Sequence, residues 1–245
     1  MLVLLPPSET KSRGGGGPPL DVAALSFSAL NPLREKLLDA VVGLAADPRA
    51  SMVALGLGPK QADEVADNAA VRDSATSPAL DRYTGVLYDA LGVRCYTRAQ
   101  RARASARLAV GSALFGAIRA GDRIPRYRLS AGSVLPGLPT LRAMWRPELT
   151  SVLSGVDGLV VDLRSGSYAA LGPVPSAVTA TVLTEQPNGT RAVVSHFNKA
   201  YKGLLARALA LTRAEPSDAR GVARVARKAG LRVEMHSETA LTVLT

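Results

Sequence analysis

The sequence predicts an α+β fold, with a single compact domain over residues 1–245 and a mixed central sheet flanked by helices. Hydrophobic residues make up 47% of the 245 residues and charged residues 20%, which is enough apolar surface for a sizeable core. Short apolar runs bounded by turn residues predict strands, and longer runs with helical spacing predict helices. Because strands and helices do not alternate regularly and local hairpins are expected, the sheet is predicted to be mixed.

An apolar run at residues 1–5 predicts a buried first strand that cannot continue past Pro6. Four polar side chains follow at once: Ser8, Glu9, Thr10 and Lys11. Polar groups delivered by the end of a buried strand commonly build a site, although a solvated turn is the alternative interpretation. The glycine-rich stretch at residues 12–19 is predicted to be a disordered surface loop.

Residues 52–66 resemble a helix-hairpin-helix element. Gly56 and Gly58 permit a tight turn that leaves backbone N–H groups uncovered, and Pro59 is placed to begin a helix. Lys60 and the positive end of that helix would face a phosphate, so the element predicts contact with a DNA backbone without sequence reading. An ordinary pair of helices joined at a glycine is the alternative.

A basic helix is predicted at residues 97–110. Arg94, Arg98 and Arg101 share one face by their spacing, and no acidic residue lies between Arg94 and Arg119. A locally uncompensated arginine face suits a phosphate backbone. A solvated face with packed arginine stems is the alternative.

The remaining elements complete the predicted sheet and its helical cover. The other predicted helices are residues 31–46, 77–91, 141–153 and 217–230. The other predicted strands are residues 159–163, 178–183, 191–197, 231–235 and 241–244. A hairpin turn at Asn188-Gly189 is predicted to join residues 178–183 to 191–197.

Further polar residues follow strand ends or begin helices, and we expect them to converge with residues 8–11 on one basic cleft. Arg128, beside Tyr127, is predicted to clamp an anion, because the guanidinium fork suits phosphate or carboxylate. Lys199 and Lys202 share a helix face, where two close ammonium groups lower each other's pKa unless an anion lies between them. The anion-binding prediction comprises Ser8, Thr10, Lys11, Tyr127, Arg128, Ser165, Tyr168, Lys199, Lys202 and Arg207.

Five segments in order resemble the YaaA family of bacterial peroxide-stress proteins. They are LPPSETK at 5–11, Arg82-Tyr83-x-Gly85-x-x-Tyr88, the stretch from Ser112 to Leu129, the segment with Ser165 and Tyr168, and Lys199-x-x-Lys202-Gly203 with Arg207. The chain departs from the family pattern at Ser130 and Ser167, where that pattern has glutamate. Any mechanism that needs those two carboxylates is therefore not carried over.

The resemblance implies a role in resisting peroxide, by protecting DNA and limiting iron-driven damage. The five-residue apolar run at the start is too short for a signal-peptide core, so a cytoplasmic protein is expected. The hairpin and the arginine face predict non-sequence-specific binding to DNA. The candidate DNA-binding residues are Gly56, Gly58, Lys60, Arg94, Arg98 and Arg101. The alternative is an enzyme acting on a nucleotide or another phosphorylated or acidic small molecule in the cleft. There Lys11 or Lys199 would serve as nucleophile or base, with Glu9 as the proton partner.

Charge and residue usage narrow the classes of function. The 30 Lys and Arg against 20 Asp and Glu leave a net charge of +10, which favours anionic partners, although a generally basic proteome is the alternative. With Cys95, His196 and His236 as the only Cys and His, no zinc cluster, disulfide or cofactor motif is predicted. No apolar run is long enough for a membrane span, so no membrane partner is expected.

Overall fold

A computed structural model describes residues 1–186 and 190–245, and a mixed sheet runs through it. Its strands are β1 (Leu2–Leu5), β2 (Ser77–Pro78), β3 (Leu108–Ser112), β4 (Gly116–Arg119), β5 (Arg123–Ile124), β6 (Val160–Asp162), β7 (Val178–Glu185), β8 (Arg191–Ala192), β9 (Arg232–Met235) and β10 (Ala240–Leu244). The main sheet has the order β4-β3-β1-β6-β7-β10-β9, with β8 on β7, and β2 pairs with β5 separately.

The centre of the sheet is parallel and its edges are antiparallel. β1 pairs in parallel with β3 on one side and β6 on the other, and β6–β7 and β7–β10 are parallel as well. β4 and β9 pair antiparallel at the two edges. All four residues of β1 are buried, as expected of a strand covered on both faces. The predicted mixed central sheet and the end of the first strand before Pro6 are confirmed.

Helices cover both the sheet and each other, as predicted. They are α1 (Asn31–Ala45), α2 (Pro48–Leu55), α3 (Asp63–Ala69), α4 (Ala79–Arg82), α5 (Val86–Leu91), α6 (Arg98–Arg107), α7 (Leu141–Ser154), α8 (Gly166–Ala169), α9 (Ser195–Leu211) and α10 (Ala219–Lys228). α9 packs on β1 and β7, α6 on β1 and β3, and α10 on β9 and β10. These contacts enclose one continuous apolar core.

Three predicted elements are wrong in whole or in part. The predicted helix at 97–110 ends at Arg107, and β3 begins at Leu108. Residues 77–91 are not one helix, because α4 ends at Arg82 and α5 begins at Val86. Between them Tyr83 has an extended backbone, in a bridge to Lys11, and Gly85 has a φ of 101°. The predicted strand at 191–197 ends at Ala192, and His196 lies in α9. The predicted Asn188-Gly189 turn lies outside the described residues.

The glycine-rich stretch is anchored rather than disordered. Arg82 is fully buried, and its guanidinium donates to the carbonyl oxygens of Ser12 at 2.6 Å and Gly14 at 2.7 Å. The Gly17 N–H donates to the Thr76 carbonyl at 2.9 Å. A buried arginine bound to backbone carbonyls leaves the loop little freedom.

The proposed helix-hairpin-helix element is not confirmed. α2 does end at a left-handed Gly56 with a φ of 63°, so the glycine turn is present. However, Pro59–Gln61 form a single 3-10 turn, and the following helix α3 begins only at Asp63. Asp63 and Glu64 occupy its first turn, where carboxylates already neutralise the positive helix end.

Within residues 1–186 and 190–245, no helix combines the length and the apolar character needed to cross a bilayer.

Candidate functional site

A cleft of about 730 Å³ opens at the carboxyl ends of β1 and β6. The chain runs from β1 to β3 on one side of the sheet and later enters β6 on the other side, so these strands flank a point where the strand order reverses. Ligands of open parallel sheets bind at such a point. Residues 6–10 after β1, residues 163–168 after β6 and the first turns of α9 line this cleft.

The first wall of the cleft carries hydroxyl groups. The Ser8 and Thr10 hydroxyl oxygens are 3.0 Å apart, and Thr10 Oγ1 also donates to the Thr84 carbonyl at 3.3 Å. A Cβ at Gly85 would lie 3.4 Å from each of the two hydroxyl oxygens. The break between α4 and α5 therefore brings backbone close to this wall, at a φ that favours glycine.

Lys11 lies beneath this wall rather than on it. Its side chain is buried, and Nζ donates to the carbonyl oxygens of Ser8 at 3.0 Å and Glu9 at 3.3 Å. Nζ also lies 4.3 Å from the centre of the Tyr127 ring. Burial, with a smaller contribution from the nearby Arg128 charge, lowers the pKa of Lys11 from 10.5 to about 7.

Tyr127 is part of a buried hydroxyl network and does not line the cleft. Its hydroxyl is 2.8 Å from the Tyr83 hydroxyl and 2.7 Å from the Ser112 hydroxyl. Burial raises the pKa of both Tyr83 and Tyr127. Nearby, the Tyr88 hydroxyl donates to the Pro6 carbonyl at 2.8 Å, so the tyrosines support the loop after β1 from below.

The second wall is built on a buried ion pair after β6. Arg164 Nη2 lies 2.6 Å from Asp162 Oδ2, and both residues are buried. Lys202 Nζ donates to the Leu163 carbonyl at 3.1 Å, which ties α9 to this strand end. Burial lowers the pKa of Lys202, and the Asp162 charge opposes that shift. Ser165, Ser167 and Tyr168 follow on the rim.

Tyr168 connects the cleft to the Arg128 region. Burial raises the pKa of the Tyr168 hydroxyl to about 12, and a backbone hydrogen bond with Ala131 acts in the opposite direction. Glu9 and Arg128 are close enough to affect the same hydroxyl. Arg128 itself is buried and pairs with Glu9 and Glu64, each at 3.2 Å. Arg128 is thus already engaged by carboxylates, and it lines a neighbouring cavity rather than the cleft.

α9 supplies the exposed cation of the cleft. Lys199 lines the cleft and is exposed, and among the described residues it forms no ion pair. Asn198 also lines the cleft, and its buried Oδ1 has no hydrogen-bond partner in the described part of the chain. One turn later, Gly203 lets α9 approach α5, since a Cβ there would overlap the Leu87 carbonyl oxygen.

Not every predicted residue lies in the cleft. The cleft-lining members of the prediction are Ser8, Glu9, Thr10, Ser165, Tyr168, Lys199 and Lys202. Lys11 and Tyr127 lie beneath the cleft. The Arg207 guanidinium carbon lies 5.8 Å from the centre of the Tyr96 ring instead. Arg207 lies eight residues beyond Lys199, about 12 Å further along α9, which places it away from the cleft.

The arginine face predicted for DNA is partly compensated. Arg94 lies in a 3-10 turn before α6, while Arg101 pairs with Asp81 at 2.8 Å. Asp81 lies before the interval from Arg94 to Arg119, in which the sequence has no acidic residue. Lys60, Arg94 and Arg98 are exposed and form no ion pair among the described residues.

Sequence reasoning missed Asp162, Arg164 and Asn198 as parts of the site. The first two sit at the end of the predicted strand 159–163, where an Asp and an Arg flank a single leucine. A buried strand that ends in two opposite charges would have indicated an internal ion pair. Asn198 lies between the predicted strand at 191–197 and Lys199. No sequence pattern shows that its side-chain oxygen lacks a hydrogen-bond partner among the described residues.

Comparison with known proteins gives a consistent result along the chain. Residues 1–235 match the family described as peroxide stress protein YaaA. A UPF0246 protein of Corynebacterium efficiens is 50% identical over 240 residues, which cover 96% of each chain. UPF0246 proteins of Corynebacterium glutamicum and Streptomyces coelicolor are 47% and 44% identical, over 100% and 96% of this chain and 100% and 92% of their own lengths. The chain therefore belongs to the peroxide stress protein YaaA family.

Proposed function

We propose that the protein binds an anionic small molecule, phosphorylated or carboxylate, in the cleft between β1, β6 and α9. The observation that carries the proposal is the arrangement of hydroxyl and ammonium groups at the point where the strand order reverses. Ser8, Thr10 and Ser165 place hydroxyl groups in the cleft, with the Thr10 proton engaged by the Thr84 carbonyl, and Lys199 offers a charge free of ion pairs within the described residues. Charged donors bind phosphate and carboxylate strongly.

We further propose that Lys199, rather than Lys11, meets the ligand. Lys199 is exposed in the cleft, whereas the Lys11 ammonium is enclosed by two carbonyl oxygens and the Tyr127 ring. If the protein is an enzyme, Lys199 is then the amine available as acid, base or nucleophile, and Glu9 is the carboxylate on the same cleft. Lys11 would act by holding the loop of residues 8–10.

The proposal is tested by isothermal titration calorimetry with pyrophosphate, after a thermal-shift screen of nucleotides and phosphorylated metabolites. We expect Lys199→Ala to weaken pyrophosphate binding about tenfold or more, because a charged hydrogen bond is lost. Lys228→Ala is the matched control, since Lys228 is an exposed lysine on α10 outside the cleft. Absence of binding by all these anions, or an equal loss in both variants, would rule out the proposed site.

A second candidate function is non-sequence-specific DNA binding that protects DNA from iron-driven damage. It is favoured by the net charge of +10 and by exposed cations that are not paired among the described residues. The candidate contacts are Lys60, Arg94 and Arg98. Arg101 contributes less to this proposal because Asp81 compensates its charge.

A further inference from the structure

A second cavity adjoins the cleft and has a different chemical character. This groove, of about 880 Å³, lies between α2 and the loop of residues 130–136. Glu9 lines both the groove and the cleft, so the two spaces meet at this residue. Its apolar lining comes from Ala50, Val53, Ala54, Leu55, Val134 and Pro136, and its charged lining from Asp47, Arg49, Glu9 and Arg128.

Two exposed valines mark this groove as an unfilled apolar surface. Val53 is 81% exposed and Val134 is 65% exposed, the highest values among the large hydrophobic residues of the described chain. Both line the groove, and the Val134 N–H donates to the Ala54 carbonyl at 3.2 Å, which fixes the loop against α2. Exposed apolar residues that cluster in a cavity indicate a binding surface, whereas isolated ones do not.

The boundary between groove and cleft carries charge that a ligand can use. Arg128 is buried, its Nε has no hydrogen-bond partner in the described residues, and one of its ion-pair partners is Glu9. The Glu9 side chain is 68% exposed, so it is free to move away from Arg128. Tyr168, on the cleft side, interacts with Ala131 of the groove loop. The partition is therefore made of polar side chains rather than of packed core.

We infer that the groove and the cleft form one extended ligand site, which takes a nucleotide with its phosphates in the cleft and its base against Val53 and Val134. This inference rests on the proposed function and adds the class of ligand. A ligand with an anionic end alone would leave the valines exposed to water, and an apolar ligand would leave Lys199 without an anion. A nucleotide satisfies both surfaces, and Arg128 lies where a ribose or a phosphate oxygen would pass between them.

The test compares pyrophosphate with ADP, GDP, CDP and UDP by isothermal titration calorimetry. We expect at least one nucleoside diphosphate to bind about tenfold or more tightly than pyrophosphate, because its base removes apolar surface from water. A Val53→Gln/Val134→Gln double variant should remove that advantage and leave pyrophosphate affinity unchanged. Both substitutions are uncharged and replace exposed residues, so they preserve the electrostatics of the cleft.

Leu204→Gln is the matched control, because Leu204 is an exposed apolar residue on α9 that lines neither cavity. The inference is overturned if pyrophosphate binds as tightly as every diphosphate, or if the valine variant keeps the advantage. In either case pyrophosphate binding that depends on Lys199 would leave the proposed function standing. If neither pyrophosphate nor any of the four diphosphates binds the native protein, both the inference and the proposed function are overturned.

Discussion

Lys11 shows how a single side chain can hold a site without entering it. Its ammonium is shared between two backbone carbonyls of the loop after β1 and faces the Tyr127 ring. The loop that presents Ser8 and Thr10 therefore depends on a buried lysine. Burying the charged ammonium costs free energy, and that cost disappears when Lys11 loses its proton.

The lowered pKa of Lys11 predicts a specific dependence of stability on pH. Its pKa is about 7 in the folded protein against 10.5 for the free group, so the unfolded chain binds more protons between these values. The contribution of Lys11 to the free energy of unfolding should then rise with pH across that window, by up to about 1.4 kcal/mol per pH unit.

Urea denaturation of the native protein and of Lys11→Met between pH 6.5 and 9.5 isolates this contribution, since other titrating groups are common to both. We expect the native protein to gain stability relative to the variant as pH rises from 7. If the difference in the free energy of unfolding between the two proteins stays constant over this range, the pKa of Lys11 is not lowered by folding.

Side-chain burial is the part of the site that the sequence could not supply. The motif of residues 5–11 located the loop correctly, because a buried strand ending in two prolines must deliver its polar residues at the sheet edge. Nothing in that spacing distinguishes Lys11, which turns inward, from Thr10, which is exposed. The direction of Lys11 is set by Tyr83 and Tyr127, which are distant in the chain.

At the level of elements, the crossing of α5 and α9 positions both sides of the cleft. Val86 at the start of α5 and Lys199 on α9 line the same space. The helices approach closely because Gly203 has no side chain, and the nearest atom to an added Cβ would be a backbone oxygen. A backbone neighbour cannot give way as a flexible side chain can, so the helices would have to separate.

We therefore expect Gly203→Ala to destabilise the protein by about 1–3 kcal/mol, as overpacking usually does, and to weaken pyrophosphate binding as well. Gly43→Ala is the control, because Gly43 is also inside a helix but an added Cβ would meet nothing within 4 Å. That control should gain up to about 1 kcal/mol from helix propensity. Thermal or urea unfolding measures the stability of both variants. Equal changes in the free energy of unfolding would show that Gly203 is not needed for the close approach of α5 and α9.

Helix boundaries were predicted well where capping residues and periodicity agreed. The predicted helices at 31–46 and 141–153 correspond to α1 and α7 within one residue at each end. Residues 77–91 carry the same apolar periodicity but are broken at Gly85, because Lys11 pairs with Tyr83 there. Such a break depends on a partner some seventy residues away, which local pattern does not contain.

Considered as a whole, the molecule uses much of its positive charge internally. Several cationic residues are buried and bind carbonyl oxygens or carboxylates, namely Lys11, Arg34, Arg82, Arg107, Arg128 and Arg164. The sequence total of +10 therefore overstates the number of cations free to contact a polyanion. This is why composition alone favoured DNA more strongly than the arrangement of the side chains does.

The DNA proposal makes its own prediction, measured by fluorescence anisotropy with duplex DNA over a salt series. Lys60→Ala/Arg94→Ala/Arg98→Ala should weaken binding and reduce the salt slope by up to about 3, since each phosphate contact contributes roughly 0.9. Lys228→Ala/Arg142→Ala/Arg220→Ala removes the same charge from other exposed positions. Equal losses in both triple variants would indicate general charge attraction and no defined DNA surface.

The parallel centre of the sheet was the main feature that sequence reasoning did not supply. The chain between β1 and β3 contains several short helices and a small separate sheet, so no regular strand-helix alternation is visible in the sequence. β1 is buried on both faces between β3 and β6, and the four apolar residues Leu2–Leu5 are compatible with that position. They do not specify which strands lie beside β1 or in which register, because all four side chains are apolar.

The central position of β1 has a consequence for synthesis on the ribosome. Val3 aligns with Leu108 and with Val161, so its two neighbours are made long after it. At roughly 5–20 residues per second, β1 waits about 5–20 s for its first partner strand. During that time an apolar segment has no sheet to join, so the nascent chain is exposed to aggregation, and we expect chaperones to engage it there.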